Sequence, residues 1–453
     1  MTAVPDNATQ RQTQRQLRTV VASSVIGTTV EWYDFFLYGT AAGIIFNRFY
    51  FPSGNPVVST VLSFATFALG FVARPIGGLI FGHIGDKLGR KRTLVATMLI
   101  MGAATVAIGI VPTYSQIGLA APLILVVLRL IQGVAIGGEW GGAVLLAVEY
   151  APARKRGFYG SFPQLGLATG LVLGTGVFAL LNAAMPGDAF LSWGWRLAFG
   201  LSALLVLIGL FIRLRVVETP AFRTMESNQA KATIPAMDLL RDRASRRNLL
   251  LGMGSRLHEG VSFNTWAVFA ISYGTGTIGM DRQPLLLAVL AAAAVMAICI
   301  PLFGSASDRF GRKRVFGLGL VLTGIGAFPA FVLLNQANTA AAILALIGVL
   351  GICYPLVYGP QAAFYAELFP TSVRCTGISL VYQLSGIVAS GLTPLLLAYL
   401  VSLGGGGYGF VLTYLLVTMV LSLVSTVFIR RADPAEQTGA DRTGQLRSTP
   451  ANG

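Results

Sequence analysis

The sequence predicts an all-α membrane protein of twelve transmembrane helices, arranged as two related six-helix halves. Three observations lead there. Apolar residues make up 54% of the chain and charged residues only 11%, a balance that leaves a soluble fold nowhere to bury its apolar surface. Crossing a roughly 30 Å hydrocarbon core takes about 20 mostly apolar residues, and stretches of that length recur along most of the chain. One basic loop motif also occurs twice, at corresponding places in the two halves. Lipid satisfies no backbone amide, so the spans must be helical.

In chain order, a polar tail (1–18) precedes spans expected at 19–46, 57–82, 93–112, 117–149, 158–183 and 192–213. These form a first six-helix half, 19–213. A charged central loop, 214–247, leads to a second half, 248–430, with spans at 248–275, 284–304, 315–334, 338–367, 376–401 and 408–429. The polar residues 431–453 read as a disordered tail.

The net charge of +15 could suggest a nucleic-acid partner, so the placement of the basic residues decides its meaning. Of 33 Lys and Arg, 27 fall at the N-terminus, in the loops after even-numbered spans, in the central loop or in the C-terminal tail. The opposite loops hold two, Arg48 and Arg282, while Arg74, Arg129, Arg196 and Arg256 lie in or at the edge of spans. This is the positive-inside pattern. It places both termini in the cytoplasm and makes the lipid bilayer of the cell inner membrane, not nucleic acid, the partner. Cys299, Cys353 and Cys375 sit in or at the end of apolar helices without metal-ligand spacing and read as buried small hydrophobes. No cofactor or metal is expected.

The repeated loop reads Gly82-His-Ile-Gly-Asp86-Lys-Leu-Gly89-Arg90 after span 2 and Gly304-Ser-Ala-Ser-Asp308-Arg-Phe-Gly311-Arg312 after span 8, an offset of 222 residues. After spans 4 and 10 come Glu149 with Arg156 and Glu367 with Arg374, offset by 218. The glycines allow a tight turn and close helix approach, while the acids can cap a helix or hold an Arg partner. Gly82, Asp86, Gly89, Arg90, Glu149, Arg156, Asp308, Gly311, Arg312, Glu367 and Arg374 are therefore expected to form a latch between the halves.

This loop resembles the signature of the major facilitator superfamily. Further stretches narrow the resemblance: Glu31-Trp32-Tyr33-Asp34 through Tyr38-Gly39 in helix 1, Ala73-Arg74-Pro75-Ile76-Gly77-Gly78 in helix 2, and Arg129-Leu-Ile-Gln132-Gly133 through Gly138-Glu139-Trp140 in helix 4. Together they look like the metabolite:proton symporters of that superfamily, which take up carboxylates, shikimate, betaine or proline. The resemblance implies the major facilitator fold and a monomeric functional unit. The osmoprotectant branch carries a long C-terminal coiled coil that this sequence lacks, which argues for another substrate group.

Ionisable side chains at membrane depth cost a few kcal/mol or more, so each is a functional candidate. Glu31 and Asp34 stand three residues apart on helix 1, with Tyr38 four beyond, and would share one face. One of the two carboxyls, with Glu139 of helix 4, would carry the coupling proton; the alternative is an ion pair with Arg74 or Arg129 that only fixes packing. Arg129 needs an acid, for which Asp34, Glu31 and Glu139 are candidates, and could exchange it for a substrate carboxylate. Helix 7 opens with Arg256-Leu-His258-Glu259, where Arg256 and Glu259 could neutralise one another or face substrate. His258 reads as a satisfied neutral histidine. Gln164, Tyr358, Gln361, Tyr365 and Gln383 could hydrogen-bond a solute between the halves. Trp193 and Trp195 read as interfacial anchors.

The expected function is uptake of a small polar organic acid with protons by alternating access. A drug or metabolite efflux antiporter on the same fold is the rival; its usual helix 5 motif needs a Pro and a second terminal Gly that Gly166 through Thr175 lack. A membrane enzyme is disfavoured because no nucleotide-binding loop, metal cluster or nucleophile elbow is present. A transporter-derived sensor would carry a soluble domain.

Overall fold

A computed structural model describes residues 7–88, 90–137, 144–145, 147–149, 151–185, 188–215, 239–370 and 373–431. The described residues are almost wholly helical. The first half contains α1 (Asn7–Ala41), α2 (Pro56–Leu88), α3 (Arg90–Ile110), α4 (Ala120–Ile136), α5 (Phe162–Ala184) and α6 (Trp195–Arg215). The second contains α7 (Arg243–Asn264), α8 (Arg282–Phe310), α9 (Arg312–Leu334), α10 (Tyr354–Ala366), α11 (Arg374–Gly386) and α12 (Gly409–Phe428). A π-helical turn extends α1 (Ala42–Phe46), α7 (Thr265–Phe269) and α11 (Ile387–Gly391), and another leads into α10 (Ile347–Cys353).

Ten of the twelve follow from apolar length. Among the described residues, 8 helices are long and apolar enough to cross a membrane, and Val95–Ile110 and Ala120–Ile136 are shorter apolar helices. The other two, α1 and α7, fall short because they carry Glu31 with Asp34 and Arg256 with Glu259. Both nevertheless lie inside the bundle, with those four side chains buried.

Packing repeats between the halves. In the first, α1 lies on α5, α2 on α4 and α3 on α6; in the second, α7 lies on α11, α8 on α10 and α9 on α12. The halves meet where α5 faces α8 and where α2 faces the segment Thr393–Leu403 that continues α11. Small residues permit the closest approaches. A Cβ on Gly77 of α2 would stand 1.9 Å from the Val134 carbonyl oxygen of α4, and one on Gly137 would stand 1.9 Å from the Arg74 carbonyl oxygen. Gly166 and Gly170 of α5 likewise abut Thr28 and Trp32 of α1.

The second copy of the repeated motif is not a loop from its first residue. Helix α8 runs through Gly304 and Asp308 to Phe310, and the chain turns only at Gly311, whose φ of 93° suits glycine alone. Hydropathy ends a span at the first charges, but intrahelical hydrogen bonds carry the helix on past them. Two expectations are corrected outside the site. Trp195 is buried against Phe46, Tyr50 and Phe199, while Trp193 is exposed. None of the three cysteines is fully buried: Cys299 and Cys353 are half-buried, and Cys375 is exposed beside Arg374 in the first turn of α11.

Candidate substrate and coupling site

The first-half acids do not share one environment. Asp34, 1% exposed, turns to α6 and accepts a hydrogen bond from the Ser202 hydroxyl. Glu31 instead lines a small cavity with Arg74, Tyr382 and Gln383. Tyr38 donates to Thr66 Oγ1 at 2.6 Å and lies under the Arg129 guanidinium, 4.4 Å from ring centroid to Cζ.

Among the described residues Arg129 forms no ion pair with Glu31 or Asp34; Glu139, the third acid expected as its partner, lies outside them. The Arg129 charge sits among the rings of Tyr38, Phe35 and Phe67, the latter two at 5.0 Å, and Nη1 donates to Gln132 Oε1 at 3.1 Å. Gln132 in turn donates to Thr105 Oγ1 at 2.7 Å. Aromatic faces are electron-rich and stabilise a desolvated cation; composition alone did not reveal that helices 1 and 2 would present so many of them here. Glu139 and Gly89 lie outside the described residues, as do Gly82, Asp86 and Arg90 in all but their backbone.

The second-half pair is compact. Arg256 Nε stands 3.3 Å from Glu259 Oε2, and Arg256 Nη1 donates to the Tyr382 carbonyl at 3.1 Å and to Ser385 Oγ at 3.0 Å. Its guanidinium covers the Tyr382 ring at 3.7 Å. Glu259 accepts from Tyr354 Oη at 2.5 Å and from Gln361 Nε2 at 3.4 Å. Gln164 of the opposite half donates to the Tyr358 carbonyl at 3.1 Å and to Gln361 Oε1 at 3.3 Å, so a polar bridge runs from α5 to Glu259. Tyr365 hydrogen-bonds Ser255 at 3.2 Å. His258 is engaged at both ring nitrogens by Thr418 and Thr323, each at 3.1 Å.

Between the halves lies a cavity with room for about one water. Arg256 and Glu259 face it from α7, and Arg74 from α2. Trp32, Phe35, Phe71 and Phe263 supply its apolar wall. Arg74 of the Ala-Arg-Pro stretch had entered only as an ion-pair partner; it is 4% exposed and stacks on Phe71 at 4.2 Å. Ser202, a lone hydroxyl-bearing residue in an apolar run of α6, is the other residue that reading the sequence passed over. Its signal is faint, because serines in membrane helices commonly bond their own backbone.

The halves touch at both ends of this cavity. At one end Gly39 of α1 contacts Val268, with a Cβ there 3.4 Å from Val268 Cγ1. At the other, Asp308 of α8 accepts from the Gly157 and Phe158 amides at 2.8 and 2.9 Å. Arg374 stands 3.6 Å from Glu149, and Gln383 Nε2 donates to the Gly137 carbonyl at 2.9 Å. Arg312 bridges Asp308 and Glu367 within the second half, and Glu367 also meets Arg431 at 3.0 Å. Arg156 has no such pair among the described residues.

Known proteins resemble this chain in sequence and in fold. The family profile described as Sugar (and other) transporter matches residues 19–266, and that described as Major Facilitator Superfamily matches residues 249–451. The shikimate transporter of Escherichia coli (strain K12) is 38% identical over 420 residues, covering 92% of this chain and 95% of that protein. The chain belongs to the major facilitator superfamily.

Its relatives put this transporter among the metabolite:proton symporters of that superfamily. Over 411 residues it is 40% identical to the inner membrane metabolite transport protein YhjE of the same strain, covering 90% and 92% of the two chains. The solved proton:xylose symporter XylE bound to 6-bromo-6-deoxy-D-glucose has a TM-score of 0.74 with 18% identity, covering 92% and 95%; that likeness is one of fold. The transporter is thus a multi-pass membrane protein and a secondary transporter, not an enzyme.

Proposed function

We propose that this transporter imports a small organic acid together with protons across the inner membrane, by alternating access of its two halves. The observation that carries the reading is the cluster of buried charges, Arg74, Arg256, Glu259 and Glu31, around two adjoining cavities that share Arg74 and are bounded by both halves. Charges kept at membrane depth have a functional reason by default, and guanidinium groups there suit a carboxylate. The relatives that transport shikimate and other metabolites support the same substrate class.

In this reading the Asp308, Glu149 and Arg374 contacts hold the cytoplasmic side shut, and the helix 1 contacts with the Val268 segment hold the outer side shut. Both termini are cytoplasmic, and one chain is the working unit. Glu31, beside Arg74 in the cavity wall, and Asp34, apart from it against Ser202, are the proton carriers. The experiment is uptake into liposomes under an imposed inward proton gradient, with labelled carboxylates, shikimate, aromatic acids, betaine and proline as substrates. Accumulation that collapses with the gradient supports symport; accumulation indifferent to it rejects symport.

A further inference from the structure

We propose that the basic end of α12 is a binding site for the headgroup of an anionic phospholipid, whose acyl chains lie along the exposed apolar face of that helix. The inference concerns the outer surface of the protein and does not depend on which solute is carried.

The last turn of α12 leaves carbonyls that the helix itself cannot satisfy, and neighbouring helices cover them from two sides. Arg247 of α7 donates through Nη2 to the Phe428 carbonyl at 2.9 Å. Lys313 of α9 donates through Nζ to the carbonyls of Val427 and Ile429 at 2.8 and 3.1 Å. Asn248 takes the Arg430 carbonyl at 2.9 Å, so a neutral amide suffices for capping and the charge on the other two is surplus to it. Arg247 spends one of its five N–H groups and Lys313 two of its three, which leaves both with donors for a phosphate.

Carboxylates do not balance this charge. Five cations lie around the helix end, Arg247, Arg312, Lys313, Arg430 and Arg431, against two acids, Asp308 and Glu367. Both acids are committed. Glu367 is shared by Arg312 and Arg431, and Asp308 holds Arg312 together with the Gly157 and Phe158 amides. Asp242, at the start of α7, is bound to the Ser245 amide. Arg247, Lys313 and Arg430 form no ion pair among the described residues.

The surroundings of these cations are apolar and face outward. Among the described residues, α12 is the least covered of the long apolar spans. Leu421, Val424 and Phe428 recur at helical spacing along its exposed face, beside Val427, and Leu250 is exposed on α7. Cations fixed at the head of a bare aliphatic strip fit a molecule with a phosphate at one end and hydrocarbon chains at the other. A soluble anion would leave the strip unused.

The test is native mass spectrometry of the purified protein in mild detergent, titrated with dioleoyl-phosphatidylglycerol or dioleoyl-phosphatidylethanolamine. The anionic lipid should bind at least tenfold more tightly than the zwitterionic one. Combining Arg247→Gln, Lys313→Gln and Arg430→Gln should weaken the anionic lipid at least tenfold. Combining Arg154→Gln, Lys155→Gln and Arg309→Gln, three exposed basic residues away from α12, removes the same charge and should change it less than twofold. Arg430→Gln alone leaves every carbonyl cap in place and should still lower the affinity at least threefold, which guards against a triple variant that fails to fold. Equal affinity for the two lipids, equal loss in the two triple variants, or unchanged binding in a folded Arg430→Gln protein overturns the proposal. Displacement of the lipid by glycerol phosphate would assign the cluster to a soluble anion, and a lipid-free dimer broken by the first triple variant would assign the face to a second copy of the chain; either outcome also overturns it.

Discussion

The Asp308 carboxylate accepts the Gly157 amide at 2.8 Å, so a side chain of α8 in the second half is fastened to the backbone just before α5 in the first. Its other oxygen takes the Phe158 amide at 2.9 Å. Asp308→Asn replaces one acceptor by a donor that faces an N–H. Hydrogen bonds to a charged group contribute about 1.5–3 kcal/mol, so the closed arrangement should lose a factor of roughly ten to a hundred. Spin labels at Lys155 and Phe310 should then report a second, longer distance by pulsed EPR; an unchanged distribution would argue against a fastening role.

Close helix contact should be intolerant of a single methyl group. Gly77→Ala puts a Cβ 1.9 Å from the Val134 carbonyl oxygen, and overpacking of this kind costs about 1–3 kcal/mol or more. Gly54 has nothing within 4 Å of its Cβ position. Thermal unfolding in detergent should show a large drop for Gly77→Ala and almost none for Gly54→Ala.

The α7 pair should behave as a coupled unit. Removing one partner of a buried ion pair leaves the other uncompensated and costs about 3–5 kcal/mol. Glu259→Gln and Arg256→Gln should each destabilise strongly, and the double variant by less than their sum. A double-mutant cycle by thermal unfolding measures the difference; strict additivity would mean that the 3.3 Å contact contributes nothing.

Asp242 caps α7 by accepting from the Ser245 amide at 2.7 Å, and its hydrogen bonds to Ser245 hold its carboxyl below the usual carboxylate value. A lowered folded pKa stabilises above the unfolded value, about 3.9, and that contribution disappears as pH falls through the folded value. Asp242→Ala should therefore cost about 1 kcal/mol near neutral pH, as for other N-caps. The gap between variant and parent should shrink below pH 4, which paired melting curves at several pH values would reveal.

Proton carriage by helix 1 separates in exchange assays. Asp34→Asn and Glu31→Gln should lower gradient-driven accumulation while leaving substrate exchange between equal pools in at least one of them. If both variants still concentrate substrate as the parent does, helix 1 does not carry the proton.

The fold was legible because its determinants are local: recurrent apolar stretches mark the spans, and the 222-residue repeat of the basic motif divides them into two halves. Arg256 and Glu259 could be paired on paper for the same reason, being three apart on one helix. What sequence reading missed depends on contacts between helices. That Arg129 rests on rings, that Asp34 turns to Ser202, and that Arg74 rather than Arg129 lines the cavity all follow from how α1, α2, α4 and α6 rotate about their axes. No spacing along one helix encodes that rotation, and the glycines that set it act through the neighbour they touch.

The charged interiors of α1 and α7 also bear on how the protein is made. Each is the first helix of its half, and among the described residues neither meets the length and hydropathy of the other long spans. The buried charges of each raise the cost of placing it in lipid alone. The side of α1 that abuts α5, and that of α7 against α11 and α12, must be sheltered until those later helices arrive. Truncation before α12 would therefore leave the face of α7 that meets α12 open to lipid.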